Sequence, residues 1–163
     1  MSFSQDDFKK ALSLYGSGVT VVTYEKDGIA SGITVSAFSS VSLNPALVMV
    51  CLNQTSNALE AIAETKAFSI HFLNSDQKEI SGIFSKNDSS RIDFLKNSEP
   101  KGLTGAKHIT GSLCILDCEL SAIHPAGDHS LVIGEVKHSH LNENSEILPL
   151  LYYNRNYRTI KDL

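Results

Sequence analysis

The residues best suited to chemistry in this 163-residue chain fall into a few short groups. The first is a run of hydroxyls, Thr34, Ser36, Ser39 and Ser40, interleaved with Val35 and Ala37. Such side chains, with the N–H groups of a backbone bend, offer short donors to a flat ligand rich in acceptors. Asn53 to Asn57 is a polar loop in which Ser56 and Asn57 stand at an expected helix start, where unbonded N–H groups and the helix dipole favour an anion. Arg91, after the polar stretch 85–90, would bring a forked cation to the same kind of ligand. Gly127-Asp128-His129 sets a histidine at a strand end, able to hydrogen-bond a ligand and to carry charge near neutral pH. Residues 149–158 gather Tyr152, Tyr153 and Tyr157 with Arg155 and Arg158, groups that stack on a planar ligand or an interface. Taken singly, each has an ordinary reading: serines facing water, a capped helix, a surface arginine, a Gly-Asp turn, tyrosines covering a core edge. His138 and His140, two apart, share a strand face and make half of a metal site; no third ligand is in view, so no metal is expected.

The elements that must hold these groups can be read from periodicity. Ile33 and Val35 alternate with Thr34 and Ser36 as a strand, followed by a hydroxyl-rich turn over 38–43 and a break at Asn44-Pro45. Residues 46–51 are apolar throughout, as in a strand covered on both faces. Ser4 caps a first helix with Phe8, Ala11, Leu12 and Tyr15 on one stripe, ended by Gly16-Ser17-Gly18. Residues 19–24 are rich in β-branched types, and Lys26-Asp27-Gly28 is a hairpin turn. Asn57 with Glu60, and Asp76 with Glu79, have the form of helix-start pairs, and Ile92 and Leu95 mark a further helical turn. A half-buried strand falls at 68–73, a loop at 97–107, and strands at 113–123, 129–136 and 148–153. Strands joined by short turns, without βαβ alternation, predict a mainly β, antiparallel sheet closed as a small barrel with short peripheral helices. No glycine-rich dinucleotide or P-loop motif is present.

Composition sets the outer bounds. Hydrophobic residues at 42% and charged residues at 20% are globular values, and the length suits one domain over residues 1–163. A net charge of −4 argues against a nucleic-acid or membrane-surface partner. No apolar run approaches the ~18 residues of a membrane span, and the first residues lack a secretory pattern. Three cysteines, Cys51, Cys114 and Cys118, lie in apolar runs and read as reduced, buried thiols of a cytoplasmic protein.

In their order along the chain these pieces resemble a known family. Residues 18–23, then Thr34-Val35-Ser36-Ala37-Phe38-Ser39-Ser40-Val41-Ser42-Leu43-Asn44-Pro45, then Ser56-Asn57, Gly127-Asp128-His129 and Leu151-Tyr152-Tyr153 with Tyr157-Arg158 are similar to the flavin reductase-like family of FMN-binding split barrels. Gly105-Ala106, Gly111-Ser112-Leu113 and Cys118 fit the same pattern, and the similarity runs from Phe8 to Ile160. The resemblance implies a split-barrel homodimer that binds FMN or FAD and oxidises NADH or NADPH, in many members passing reduced flavin to a partner monooxygenase. It places Thr34, Val35, Ser36 and Ala37 along the flavin ring and ribityl chain, with Ser39 and Ser40 in the same region. Asn53, Ser56 and Asn57 fall near the phosphate, and Arg91 matches a family arginine, although Ile92 replaces the phenylalanine that usually follows it. His129 is implied near the nicotinamide, and Tyr152 and Tyr157 at the ring edge. The alternative from another class is a non-catalytic FMN-binding protein for electron transfer or flavin storage. A pyridoxine phosphate oxidase-like enzyme on a similar barrel is more distant.

Overall fold

Short turns between β-branched runs organise the chain. The computed structural model describes residues 3–98, 102 and 105–160, so part of the loop expected at 97–107 lies outside the described residues. In order, the elements are α1 (Gln5–Ser13), β1 (Ser17–Gly18), β2 (Thr20–Lys26), β3 (Ile29–Val35), β4 (Phe38–Leu43), β5 (Ala46–Asn53), α2 (Asn57–Thr65) and β6 (Ala67–Phe72). A 3-10 turn (Ser75–Gln77) then leads into α3 (Lys78–Ser85), α4 (Ser90–Lys96), β7 (Cys114–Ala126), β8 (His129–Leu141), β9 (Leu151–Tyr153) and β10 (Asn156–Arg158). Seven strands pair antiparallel in the order β3-β2-β6-β7-β8-β5-β4, and β1, β9 and β10 form a small second sheet. The large sheet keeps two open edges, β3 and β4, so it is a split barrel and not the closed one that strand count favoured.

The inward face is apolar. Val22, Val50, Leu52, Phe68, Ile70 and Val132 meet there, and Ile62 of α2 closes one end. A second cluster, with Val19, Val21, Leu73, Phe84 and Leu95, lies where α3 and α4 cover β2 and β3. Gly134 is fixed by the first cluster: a Cβ there would come 2.5 Å from Phe68 Cζ and 3.0 Å from Cys118 Cβ. Both neighbours are fully buried and cannot swing away. Gly134→Ala should therefore cost roughly 1–3 kcal/mol, read as a lower urea midpoint; an unchanged midpoint would contradict this packing.

His71 gives the fold a pH dependence. Its ring is fully buried, its Nδ1 lies 3.1 Å from the Val21 carbonyl, and burial pushes its pKa down to about 3. The unfolded chain, with an imidazole near 6.5, takes up the proton first. Stability is therefore full above about pH 6.5 and falls as pH drops toward 3, by on the order of 4 kcal/mol across that window. His71→Asn should flatten the dependence of the urea midpoint on pH between about 6.5 and 4; an equal slope would count against it.

Several expectations are corrected. Residues 38–43 are an edge strand and not a turn: Phe38 to Leu43 pair with β5, with a bulge between Ser40 and Ser42, and the reversal falls at Asn44-Pro45. The apolar run 46–51 is covered on one face only, since Val48, Val50 and Leu52 are buried while Leu47, Met49 and Cys51 are half-exposed. Ser56, not Asn57, caps α2, through Ala58 N at 3.2 Å. Asn74 with Gln77, not Asp76 with Glu79, forms the second capping box. Cys51 is only half-buried, whereas burial raises the Cys114 thiol and pushes that of Cys118 up to about 12.

Candidate active site

Two open cavities meet at the bend after β3, and Ser36 and Tyr152 line both. The larger, about 860 Å³, takes Ala37 and Phe38 from the bend, Met49 and Cys51 from β5, Leu12 and Tyr15 from α1 and its exit, and Arg155 from the turn between β9 and β10. An apolar and aromatic wall of this size suits a planar ring. The bend itself is held from behind: Val35 is buried, and its carbonyl accepts from Thr20 Oγ1 at 2.6 Å. Phe38 N donates to Ser36 O, and Cys51 N to Ala37 O, both at 3.1 Å. Ser36 and Ala37 lie between strands, and their own N–H groups donate to no backbone carbonyl among the described residues.

The smaller cavity, about 410 Å³, is polar. Thr34 comes from β3, Ser81 and Ser85 from successive turns of α3, Arg91 from the start of α4, and Tyr157 from β10. Thr34 Oγ1 donates to Ser81 O at 2.7 Å, and Ser81 Oγ lies 2.9 Å from the Tyr157 hydroxyl. The Tyr157 ring in turn meets Tyr152 edge-on at 5.5 Å. Arg91 Nε is buried without a hydrogen-bond partner among the described residues. A buried charged donor left unpaired is costly, and an acceptor in this cavity would relieve it.

Of the residues singled out from sequence, Thr34, Ser36, Ala37, Arg91, Tyr152 and Tyr157 come together around these cavities, with Val35 as the buried backbone beneath. Ser39 and Ser40 lie on the exposed edge strand, where Ser39 Oγ donates to Ser40 O at 3.0 Å, and line neither cavity. Asn53, Ser56 and Asn57 lie at the corner between β5 and α2. Asn53 Oδ1 accepts from Thr55 N at 2.9 Å and from Thr55 Oγ1 at 2.7 Å, and its register partner is His129. His129 is half-exposed with Nδ1 2.7 Å from Asp128 Oδ1, a hydrogen bond that holds the Asp128 carboxyl below its usual range. Strand alternation puts Met49, Cys51 and Asn53 on one face of β5, and Leu131 and His129 across from the last two. His129 therefore shares the sheet face that carries the larger cavity, at its far end.

Sequence reasoning missed Ser81, Ser85 and Tyr15 as site residues, and named Arg155 only within the 149–158 group. The two serines read as the wet side of a short helix, and nothing local marks them. Arg155 does carry a trace: it follows Asn154, and the pair sits at φ 60° and 48° in a two-residue hairpin turn, where asparagine is favoured.

Comparison with known proteins bears on this geometry. The family model described as "Flavin reductase like domain" matches residues 12–161. The reductase subunit HsaB of a flavin-dependent monooxygenase from Rhodococcus jostii is 32% identical over 94% of this chain and 77% of its own. The FMN reductase (NADH) SmoA of Agrobacterium fabrum is 37% identical over 79% of this chain and 72% of its own. Among solved structures, flavin reductase PheA2 in its native state superposes with a TM-score of 0.87 at 32% identity, covering 98% of this chain and all of the other.

Proposed function

This chain belongs to the flavin reductase-like domain family, and from that membership we propose an NADH-dependent flavin reductase whose flavin lies across the Ser36–Tyr152 junction. The observation that carries the placement is the buried Arg91 Nε, without a hydrogen-bond partner among the described residues, beside a ring-sized apolar wall. The residues present fit FMN or FAD: the wall takes the ring, the Ser36 and Ala37 amides face its acceptors, and Arg91 takes a phosphate. Bound there, the flavin supplies the redox chemistry, accepting hydride from NADH or NADPH. The chain's own work is positional. The bend, fixed by Val35 and Thr20, holds donors where negative charge grows on the ring, so no reorganisation is needed at the moment of transfer. Thr34, Ser81 and Tyr157 form a hydrogen-bonded wall that keeps Tyr152 at the ring edge. Ser39 and Ser40 run on from the bend along the exposed edge strand, outside both cavities, while Asn53, Ser56 and Asn57 form a second polar group beside His129 for a phosphate.

His129 is proposed to orient the nicotinamide carboxamide, fixed in tautomer and angle by Asp128. His129→Ala should raise the KM for NADH roughly tenfold with a smaller change in kcat, about the value of one hydrogen bond. An unchanged KM would remove the residue from the site. The enzyme reading itself is tested by loss of NADH absorbance with purified chain and added FMN. Flavin binding without NADH consumption would favour the storage or electron-transfer alternative.

The half-exposed apolar face of β5 and β8, with Met49, Cys51, Leu131 and Ile133, supports a homodimer. So does α1, which buries no residue and leaves Phe8 and Leu12 about half exposed. Reduced flavin would pass to a partner monooxygenase, as the names of relatives suggest for their own systems. The described cysteines are free and no described helix could cross a membrane, which suits a proposed cytoplasmic location.

A further inference from the structure

On the outer face of the sheet, away from the flavin cleft, several polar side chains converge under the loop that precedes β7. Asp117 is fully buried there, although it is a carboxylate. Ser69 Oγ donates to its Oδ1 at 2.6 Å, His108 Nε2 lies 2.9 Å from the same oxygen, and His140 Nε2 lies 3.1 Å from Oδ2. Burial opposes its ionisation, but the hydrogen bonds from His108, Ser69 and His140 outweigh it and hold the carboxyl well below its usual range.

The topology explains the convergence. Ser69 pairs with Asp117, and Ile115 with His140, so one face of β6, β7 and β8 carries all three polar groups. Between Asp117 and Cys118 the register slips, with Lys137 left over on β8, and this bulge turns His138 and His140 toward Asp117. His108 arrives from the loop, over which Gly102 passes so closely that a Cβ would collide with both Asp117 and His108. His138 and His140 were the half-site legible in sequence; Asp117, 23 residues before His140, and His108 from the loop before β7 supply what was missing.

We propose that His108, Asp117 and His140 form a site for a borderline divalent metal of the zinc type. Their ligand atoms all lie within 4.8 Å of one another. A tetrahedral ion about 2.1 Å from each donor needs donors about 3.4 Å apart, so the two His–Asp contacts already fit and only the imidazoles must close slightly. His140, 41% exposed, is free to make that movement, and His138 packs edge-on against it at 4.3 Å. The ion would take the place of the two Nε2–carboxylate hydrogen bonds, each imidazole keeping its one proton on Nδ1. A groove of about 470 Å³, lined by His138, Thr110 and Asn142, opens on the site and leaves the fourth position to water. Two histidines and a carboxylate with one open position make a ligand set that zinc accepts.

An independent observation comes from the neighbouring His71. Its Nδ1 faces the Val21 carbonyl, which can only accept, so Nδ1 carries the proton and Nε2 bears a lone pair. That Nε2 is buried and has no hydrogen-bond partner among the described residues, and the ring stands edge-on to His108 at 5.8 Å. An N–H donated to a backbone carbonyl, with the other nitrogen bare, is the tautomer in which a histidine can accept a metal, although His71 itself lies beside the three-ligand group and outside it. The ion would pin the loop to β7 and β8. No residue of this group lines the flavin cleft, so the proposal stands apart from the redox function.

The test uses the full chain dialysed against a chelator and titrated with Zn²⁺ in competition with a chromophoric chelator, and separately with Co²⁺ read by visible absorption. One equivalent per chain is expected, with a cobalt spectrum of low coordination number and a rise in Tm on adding Zn²⁺. His108→Ala and His140→Ala should each weaken binding by more than the 10–100-fold that loss of an outer-shell partner costs. The exposed His140→Ala should fold as the parent does, shown by an unchanged Tm in chelator, and His124→Ala should bind normally. Zinc uptake equal in the parent and in the His108→Ala/His140→Ala double variant would overturn the proposal.

Discussion

Ser36→Trp should abolish flavin binding while leaving the fold intact. Ser36 is exposed, lies outside the strands, and lines both cavities, so a large side chain there fills one or the other. The packing beneath the bend does not involve its side chain, because Val35 and Thr20 hold the backbone from behind. A ring that must lie flat on the bend would lose its contact with Ala37 and Tyr152 at once. The expected loss is at least about 100-fold in Kd for FMN, near 3 kcal/mol, followed by quenching of flavin fluorescence. Tm in the absence of flavin should not move. Unchanged affinity for FMN would mean that the ring lies elsewhere.

Arg91→Ala should separate the phosphate from the ring. The guanidinium is the cation of the polar cavity, and its buried Nε has no partner among the described residues. A charge-assisted hydrogen bond is worth about 1.5–3 kcal/mol, so FMN should bind roughly 10–100-fold more weakly to the variant. Riboflavin, which has the ring but no phosphate, should bind both chains alike. The flavin-free variant should be no less stable than the parent, since the substitution removes an unsatisfied buried donor. Equal losses for FMN and riboflavin would show that Arg91 supports the fold or the ring and does not hold the phosphate.

Local signals in the sequence were enough for the strands and turns that chemistry fixes within a few residues. Asp27-Gly28 takes positive φ at both positions, as a two-residue hairpin requires, and Ser4 caps α1. The alternation of Thr34 and Ser36 against Val35 marked the end of β3, although the turn expected after it at 38–43 is a strand, and the ordered motifs pointed to the family whose model matches residues 12–161. What could not be read locally depends on distant partners. Residues 38–43 look like a turn because Ser39, Ser40 and Ser42 stand just before Asn44-Pro45; they become a strand because β5 offers an edge. Residues 46–51 look buried on both faces because every one of them is apolar, and this chain covers only one face. Ser81 and Ser85 join the site only because α3 folds back over β3. The His108–Asp117–His140 group spans three elements and a bulge, and no spacing rule reaches across those.

The most direct measurement is a crystal structure of the chain soaked with FMN. The ring should lie along the bend at Ser36 and Ala37, edge toward Tyr152, with a phosphate oxygen within hydrogen-bond distance of the Arg91 guanidinium. Clear flavin density at another place, with the bend and Arg91 untouched, would contradict the account.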